Sequence, residues 1–425
     1  MLRILLPLVA LSAILAAPRA HAQSPDLDAA LRSVSEDVVA WRRDIHAHPE
    51  LGNQEFRTAG IVAEHLNALG MEVHTGIAHT GVLGILRGGR PGKTVALRAD
   101  MDGLPVTEQT GLAFASTVTT MYNGREVGVM HACGHDVHVA VLMGVAEILA
   151  GMRDEIPGTV MFIFQPAEEG GGGARLMLEE GLFDIMKPDA VFGMHVGPGV
   201  EAGKIGWVTR GAMAASDGLR ITVRGVQTHG AYPWQGVDPI VVASQIVLGL
   251  QTIPSRQTEA VKAPAIVTIG MIEGGVRGNI IPDEVRMVGT IRTLDAAMQD
   301  DVHARVERTA RLIAESAGAE AEVSIGRGYP VTYNDPELSR FAASAIAGVL
   351  GAENVVETLP STGAEDFSYF ANEVPGFYFW LGGRTPGTAL EDTPMNHSPF
   401  FSPDEAALDV GVKAMTTAAL AFLGR

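Results

Sequence analysis

The sequence predicts an α/β protein: a main domain with a mixed, mainly parallel sheet flanked by helices, interrupted by a smaller α+β domain. Short apolar runs typical of buried strands alternate with helical repeats in both end regions of the chain. Between about residues 213 and 326 the predicted order becomes β-α-β-β-α-β, which is the ferredoxin-like split pattern. We therefore expect the second domain to be inserted into the first, in a chain long enough to bury both cores.

The first part of the chain alternates helices and strands. Apolar residues recur at helical spacing over residues 27–45 and 57–69, and Pro49 and Gly70 end these helices. Further elements are a strand at 94–100, a helix at 139–149 and strands at 159–164 and 189–194. Because the carboxyl ends of parallel strands meet at one edge of a sheet, we expect the polar residues that follow these strands to lie together there.

The second part of the chain contains the predicted insertion and the return to the main domain. The insertion has predicted strands at 219–224, 265–272, 284–292 and 321–326, and predicted helices at 238–253 and 300–315. After the insertion, the elements are a helix at 336–350, a strand near 377–381 and a closing helix at 403–422. The sheet of the main domain therefore draws strands from both sides of the insertion.

Composition and the N-terminus restrict the classes of function. The 49 acidic residues outnumber the 31 basic ones, for a formal net charge of −18, so we expect no nucleic-acid partner. Residues 1–22 contain Arg3, a short apolar run and the small-x-small site 20–22, which is typical of a secretory signal peptide. An uncleaved anchor is the alternative. We expect a mature chain from near Gln23 that is periplasmic or secreted and has no membrane attachment once processed.

Segment 131–138, His-Ala-Cys-Gly-His-Asp-Val-His, holds the single cysteine of the sequence. A thiolate at Cys133 and an imidazole at His135 can point at one divalent ion if the backbone turns between them, and Gly134 permits that turn. The cysteine could instead be a small buried apolar side chain, or a nucleophile with a nearby histidine as its base. With one cysteine, no internal disulfide can form.

Other side chains that ligate metals follow predicted strands or lie in loops rich in glycine and proline. The candidate ligands are Cys133, His135, Glu169, His195 and His397. Five nitrogen, oxygen and sulfur donors suit one or two divalent ions, with zinc expected first and manganese or cobalt as alternatives. Glu168 and Glu169 follow a predicted buried strand, and neighbouring side chains on an extended backbone diverge. One carboxylate can therefore ligate metal while the other carries a proton.

Four motifs together resemble those of one group of amidohydrolases. They are RADMDGLP at 98–105, MHACGHD at 130–136, QPAEEG at 165–170 and HSP at 397–399. The sequence is similar in this way to the hippurate-hydrolase branch of peptidase family M20, in the metallopeptidase/aminoacylase superfamily. That branch includes hippurate hydrolases, N-acyl-amino-acid deacylases and plant auxin-conjugate hydrolases. The resemblance covers essentially the whole mature chain.

The resemblance implies a domain organisation and an assembly. Residues 1–22 would be the signal peptide, and residues 23–212 and 327–425 a catalytic domain that holds a binuclear metal centre. Residues 213–326 would be an inserted lid domain through which the protein forms a homodimer.

The resemblance also implies roles for individual residues. The residues that match the family's ligands for two ions per subunit are Cys133, His135, Glu169, His195 and His397. Glu168 matches the general base. His229 matches a histidine thought to reach the site of a neighbouring subunit. Asn279 and Arg292 fall where relatives hold the free carboxylate of the substrate.

Two positions depart from the pattern of the wider superfamily. Arg98 stands where other branches have a histidine ligand, which leaves the role of Asp100 open. Trp234 stands where many relatives have a second histidine, which puts the shape of the substrate pocket in doubt.

The function implied by the resemblance is metal-dependent hydrolysis of N-acyl amino acids, with a metal-activated water and Glu168 as the base. Small peptides with a free C-terminus, cleaved by a dipeptidase or carboxypeptidase, are the alternative substrates. A non-catalytic binding descendant of the fold is a further alternative, against which the complete donor set and Glu168 argue. A cysteine hydrolase acting through Cys133 would leave Glu169 and His397 without a role.

Overall fold

The structure is a computed structural model that describes residues 27–425. The helices of this part of the chain are α1 (Leu27–Ala47), α2 (Phe56–Ala68), α3 (His135–Gly151), α4 (Gly173–Glu179), α5 (Leu182–Ile185), α6 (Pro239–Thr252), α7 (Ala296–Ser316), α8 (Pro336–Leu350), α9 (Phe367–Glu373) and α10 (Ala406–Leu423). The predicted signal peptide, residues 1–22, lies outside the described residues.

The strands are numbered in the same way along the chain. They are β1 (Glu72–Ile77), β2 (Gly81–Arg87), β3 (Arg90–Asp100), β4 (Thr119–Tyr122), β5 (Arg125–Gly128), β6 (Pro157–Gln165), β7 (Ala190–Glu201), β8 (Ile205–Trp207), β9 (Arg210–Met213), β10 (Ala215–Arg224), β11 (Thr228–His229), β12 (Ala265–Gly274), β13 (Ile280–Ile281), β14 (Glu284–Thr293), β15 (Glu320–Arg327), β16 (Thr332–Asn334), β17 (Val355–Glu357) and β18 (Gly376–Arg384).

The larger sheet has eight strands in the order β1-β2-β6-β3-β7-β18-β8-β17. Its four central strands, β6, β3, β7 and β18, run parallel, and antiparallel pairings lie on either side of them. Side chains of β6 alternate between two apolar layers, because successive residues of a strand point to opposite faces. Val160 and Phe162 pack in the layer with α1, α3, α8 and α10, while Met161 and Ile163 pack with α4, α5 and α9. The predicted α/β fold class, a mixed and mainly parallel sheet flanked by helices, is confirmed.

A second sheet of four antiparallel strands has the order β12-β14-β10-β15. Numbered along this part of the chain, that order is 2-3-1-4, which is the order of the split pattern predicted from the sequence. Helices α6 and α7 pack on it around a separate apolar core that includes Ile221, Ile246 and Val306. Strand β9 pairs with β16 where the chain enters and leaves this unit.

One element boundary differs from the sequence prediction near the motif at 131–138. Helix α3 begins at His135, four residues before the predicted start at Val139. The reason is Gly134, whose φ of 94° turns the chain directly into the helix. A Cβ at this position would lie 2.4 Å from Cγ1 of Val196, so this tight turn requires glycine. The apolar pattern alone placed the helix start too late.

Helix α10 is the one helix within residues 27–425 that is long and apolar enough, by composition, to cross a membrane. In this structure 67% of it is buried inside the protein. It packs against α1, α3 and α8, which belong to the same apolar layer. The apolar composition of α10 is therefore explained by its packing in the core of the larger domain.

Candidate metal centre

The predicted ligands lie at the carboxyl edge of the parallel strands. Strand β3 pairs with β7 only as far as Arg98 and Gly193, so the edge of β7 beyond that point is free. His195 lies two residues further on. The prediction that this strand ends at Met194 was wrong, because β18 continues to pair with β7 through Trp380 opposite His195 and holds it extended to Glu201.

Cys133 and His135 reach the same edge through the turn at Gly134. His135 is the first residue of α3, and Cys133 lies just before the turn. The segment that carries His397 is tied to this turn: the backbone nitrogen of His397 donates to the carbonyl oxygen of Ala132 at 2.7 Å. Nδ2 of Asn396 donates to the carbonyl oxygen of Cys133 at 3.0 Å. Two distant parts of the chain therefore form one side of the site.

Among the described residues, three of the five groups of possible ligand atoms each contain two or more of the predicted ligands, and these three groups overlap. Within each group the ligand atoms lie within 4.8 Å of one another. The first group is Cys133, His135 and His195, the second is Cys133, Glu169 and His397, and the third is His135, Glu168 and Glu169. The sulfur of Cys133 lies 3.3 Å from Nε2 of His195, and Nε2 of His397 lies 3.1 Å from Oε1 of Glu169. Because the groups share members, this arrangement suits two neighbouring ions better than one.

The orientation of His135 and His195, and the protonation state of His195, fit divalent cations. Nδ1 of His135 lies 2.8 Å from the carbonyl oxygen of Asp102, and Nδ1 of His195 lies 2.8 Å from that of Val196. Each ring therefore turns Nε2 towards the cluster, which is how second partners orient metal-binding imidazoles. Nε2 of His135 is buried and makes no hydrogen bond. Burial lowers the pKa of His195 to about 3, so it remains the neutral imidazole that metal binding needs.

Asp102 positions both glutamates of the site. Its Oδ1 accepts from the backbone nitrogen of Glu168 at 3.1 Å, and its Oδ2 accepts from that of Glu169 at 3.0 Å. Ala167, just before them, has a φ of 51°, so the chain turns sharply there. The hydroxyl of Tyr329 donates to the carbonyl oxygen of Glu168 at 2.6 Å. The glutamate pair is therefore held by its backbone, which leaves both carboxylates free for chemistry.

The two glutamates have opposite electrostatic surroundings. Burial, together with the charges of Glu365 and Asp366, raises the pKa of Glu168 well above its usual range. Burial also acts to raise the pKa of Glu169, but the hydrogen bond from His397 and the charge of His135 outweigh it and lower that pKa. The lowered pKa keeps Glu169 anionic, as a metal ligand must be, and the raised pKa makes the carboxylate of Glu168 the stronger base of the two.

Arg98 serves as a buried counter-ion and does not join the donor cluster. Its guanidinium lies 2.8 Å from Asp100, 2.9 Å from Glu365 and 3.0 Å from Asp366. Asp100 also accepts from Nδ1 of His138 and lies 3.5 Å from Nε2 of His135. The role that the sequence left open for Asp100 is therefore that of an acceptor beneath the ligand cluster.

Asp136, the second residue of α3, holds the segment 131–138 in place through buried polar contacts. It forms an ion pair with Nε of Arg42 at 2.9 Å and contacts Nδ1 of His46 at 2.9 Å. The other nitrogen of His46 lies 3.1 Å from Glu108. Burial opposes a charge on His46, but Asp136 and Glu108 outweigh it and raise the pKa of His46 to about 9. This buried network fixes the start of α3, and with it His135.

The ligand cluster opens into a cavity of about 410 Å³. The sequence-predicted residues that line it are Cys133, Glu168, Glu169, His195, Arg292 and His397. His135 is buried beside them and completes the cluster. His229 and Asn279 do not line this cavity; they lie side by side elsewhere, where the backbone nitrogen of Gly230 donates to the carbonyl oxygen of Asn279 at 2.8 Å. The structure therefore brings together all the predicted metal ligands, Glu168 and one of the two predicted carboxylate-binding residues.

Several residues of the site were missed by the sequence analysis. Asp102 and Tyr329 hold the glutamate pair, and Glu365 and Asp366 surround Arg98 and Glu168. Glu365 and Asp366 had only a weak signal, since they are one of several pairs of adjacent acids in the sequence. No comparable signal marks Tyr329, which reaches Glu168 from 161 residues away.

The sequence profile of Peptidase family M20/M25/M40 matches residues 96–421. The chain belongs to this family. The M20 chain is 41% identical over 396 residues to thermostable carboxypeptidase 1 of Saccharolobus solfataricus, covering 92% of this chain and 97% of the relative. It is 36% identical over 378 residues to the N-acetyl-L-cysteine deacetylase of Bacillus subtilis, covering 89% and 86%.

A solved structure agrees with both the fold and the cluster. It is a Bacillus subtilis protein described as a dinuclear metal-binding peptidase of the M20 family, 35% identical, with a TM-score of 0.78 over 92% of this chain and 99% of that one. The predicted resemblance to M20 amidohydrolases is confirmed. The protein is a hydrolase of this family that acts on amide bonds.

Proposed function

We propose that this M20 enzyme hydrolyses N-acyl amino acids. The observation that carries the proposal is that one cavity holds a complete metal donor set, the buried carboxyl of Glu168 and the guanidinium of Arg292. Donors and proton carrier suit amide hydrolysis, and a guanidinium fork suits a free carboxylate. The name of the Bacillus subtilis deacetylase supports the same substrate class.

The proposed reaction consumes one water and one amide. The water oxygen forms a bond to the acyl carbon, the C–N bond breaks, and the products are a carboxylate and a free amino acid. Two divalent ions held by Cys133, His135, Glu169, His195 and His397, with zinc expected first and manganese or cobalt as alternatives, would polarise the scissile carbonyl and lower the pKa of water.

Glu168 is the residue that we propose as the general base. It removes a proton from the attacking water and delivers that proton to the leaving nitrogen. Asp102 and Tyr329 hold its backbone in place. A positioned proton carrier of this kind typically contributes about 10²–10⁴-fold to the rate.

Arg292 would bind the carboxylate of the substrate, and His229 and Asn279 would come from a second copy of the chain. In support of this proposal, Arg292 lines the cavity, whereas His229 and Asn279 do not. The ring of His229 contacts that of Tyr232 at a tilt, and Tyr232 contacts Trp234 edge to face, on an exposed segment. An exposed histidine of this kind would donate to the developing oxyanion in the partner's site.

The four-stranded unit offers a surface for the proposed homodimer. Strand β12 is an edge strand of its sheet, and it exposes Ile266, Met271 and Ile272. Unpaired strand edges with exposed apolar side chains are templates for pairing with another chain. We therefore assign the dimer contact to the inserted unit, residues 213–326, with residues 23–212 and 327–425 forming the catalytic domain.

Small peptides are the second candidate substrates. The carboxypeptidase name of the Saccharolobus solfataricus relative favours them. Arg292 suits the C-terminal carboxylate of a peptide as well as that of an N-acyl amino acid. The two classes differ on the acyl side, where a dipeptide carries a charged amino group and an N-acyl amino acid does not.

We also propose that the enzyme is exported, on the basis of the signal-peptide pattern at residues 1–22. Expression of the full chain, followed by cell fractionation and intact-mass measurement, tests this. Export predicts a periplasmic or secreted product that begins near Gln23. A full-length product retained in the cytoplasm would contradict it.

The main experiment uses purified protein and a panel of N-acyl amino acids and dipeptides. Turnover is measured before chelation, after chelation and after zinc, manganese or cobalt is restored. We expect activity to vanish with the chelator, to return with metal, and to be higher on N-acyl amino acids than on dipeptides. Dipeptides as better substrates would favour the second candidate. Turnover that survives complete metal removal would contradict the metal-dependent reaction and support a cysteine hydrolase.

A further inference from the structure

A second cavity, of about 330 Å³, opens beside the metal centre. Its walls come from the end of β7, from residues 358–361 and from Met395 with its neighbour Asn396. No charged side chain occurs among the described residues that line it. The metal cavity, by contrast, is lined by several carboxylates, two histidines and Arg292. The two cavities therefore accept different chemistry, and the second accepts apolar groups.

Two side chains line both cavities and connect them. The indole of Trp380 has its centroid 5.7 Å from the ring of His195. Nδ2 of Asn396 donates to the carbonyl oxygens of Cys133 at 3.0 Å and Val196 at 3.2 Å. Both side chains are thus in direct contact with the metal-binding segments. The two cavities therefore adjoin at Trp380 and Asn396.

We propose that the second cavity is the subsite for the acyl group of the substrate, and that it selects aliphatic chains longer than acetyl and aromatic acyl groups. The inference rests on the proposed function. Arg292 lines only the metal cavity, so a substrate carboxylate bound there directs the acyl side of the amide away from it. Leu359 is 87% exposed and Met395 is 54% exposed, and a bound apolar group would cover this surface.

Gly199 gives a direct test, because it lines the cavity and has room for a side chain. A Cβ built at Gly199 meets no heavy atom within 4 Å, and its φ lies outside the left-handed region. Gly199→Phe should therefore fill the cavity without straining the backbone. Gly60 in α2, which has the same open surroundings, provides the matched control Gly60→Phe.

The experiment compares kcat/KM for N-acetyl, N-butyryl, N-hexanoyl and N-benzoyl derivatives of one amino acid, with metal-loaded protein. We expect kcat/KM of the wild type to rise about threefold per added methylene along the linear series. Gly199→Phe should lower kcat/KM for the hexanoyl and benzoyl substrates at least about tenfold and leave the acetyl substrate within about twofold. Gly60→Phe should behave as the wild type on every substrate.

A second variant and a binding measurement test the same inference if Gly199→Phe does not fold. Leu359→Asp places a charge at the mouth of the cavity, and Leu312→Asp on the exposed side of α7 is its control. Calorimetry on the Glu168→Gln variant should show that the hexanoyl substrate binds more tightly than the acetyl substrate. In the double variant Glu168→Gln with Leu359→Asp, the two substrates should bind with equal affinity.

The outcomes separate this inference from the proposed function. Hydrolysis of N-acetyl amino acids with no dependence on acyl length would overturn the subsite and leave the function standing. Equal losses for acetyl and hexanoyl substrates in Gly199→Phe would also overturn the subsite. No hydrolysis of any N-acyl amino acid by the metal-loaded wild type would overturn both.

Discussion

Nη1 of Arg98 lies 2.8 Å from Oδ2 of Asp100, and both side chains are completely buried beneath the metal centre. The same guanidinium also contacts Glu365 and Asp366, so one cation serves three carboxylates. Burial opposes the charge of each group, but the charge of Arg98 outweighs burial and keeps the pKa of Asp100 well below its usual range. Arg98 is therefore a buried structural cation shared by these carboxylates.

Removing this cation should destabilise the protein strongly. We expect Arg98→Ala to lower the free energy of unfolding by about 3–5 kcal/mol, because it leaves buried carboxylates without a counter-ion. The exposed pair of Arg175 with Glu179 provides the control, and Arg175→Ala should cost less than about 1 kcal/mol. Denaturant titration measures both. Equal effects of the two substitutions would contradict the role of Arg98.

Replacing the only thiol should empty the metal centre. We expect Cys133→Ser to lose about half or more of its bound metal, because its sulfur lies between two of the three donor groups and a hydroxyl is a poor ligand for zinc. Metal analysis after dialysis provides the measurement, with His74→Ala on a distant strand as the control. Full metal content in Cys133→Ser would remove the thiol from the ligand set.

The two adjacent glutamates should respond differently to the same substitution. Glu168→Gln should lower kcat about 10²–10⁴-fold and keep its metal, because the amide cannot carry the proton. Glu169→Gln should lose metal as well as activity, because a charged donor is removed. Steady-state kinetics and metal analysis are measured on the same samples, with exposed Glu179→Gln as the control. Metal loss in Glu168→Gln would contradict its assignment as the base.

The stability of the protein should depend on the titration of Glu55. Burial raises the pKa of this carboxyl from 4.5 to about 7, although it accepts hydrogen bonds from Thr80 and the backbone nitrogen of Ala167. The folded protein then retains a proton that the unfolded chain releases. The contribution of Glu55 to stability is therefore present below about pH 4.5 and is lost as the pH rises through about 7.

Glu55→Gln should remove this dependence, because glutamine mimics the neutral carboxyl. Relative to the variant, we expect the wild type to lose on the order of 3 kcal/mol of unfolding free energy between these pH values. Denaturant titrations across the range, in chelator, provide the measurement. Exposed Glu64→Gln should track the wild type. Parallel pH curves for wild type and Glu55→Gln would contradict the raised pKa.

The proposed action of His229 across a dimer can be tested by complementation. Variants Glu168→Gln and His229→Ala should each be inactive alone. In a mixed dimer, one site would combine an intact Glu168 with the partner's intact His229, so random mixing should restore about a quarter of wild-type activity. Action within one chain predicts no recovery. Refolding or co-expression of the two tagged variants gives the mixed dimers. The control is a mixture of the two separately purified variants under conditions in which subunits do not exchange.

Sequence patterns predicted the four central strands of the larger sheet and the ligand set because both have local signals. The apolar run before Glu168 marks a strand, and Cys133 and His135 lie two positions apart. The patterns failed where a distant element decides the outcome. Strand β7 continues past His195 because β18 pairs with it, and α3 starts early because of the turn at Gly134.

The residues that hold the site in place could not be predicted from the sequence either, because they act through long-range contacts. Tyr329 reaches Glu168 across 161 positions, and Arg98 reaches Glu365 across 267. No local pattern connects Arg98 or Tyr329 with its distant partner. The outer strand β1 was also missed, since it is short and largely exposed. Strand β2 was missed although six of its seven residues are buried.

The sequence has one cysteine, and that cysteine is buried in the ligand cluster. Every molecule therefore carries a single thiol, and its chemical reactivity reports on one place only. A coloured or fluorescent thiol reagent should label the metal-free protein and spare the loaded one, because a coordinated thiolate is masked. Counting labelled molecules would then count empty centres, during purification as well as during turnover, without any engineered probe.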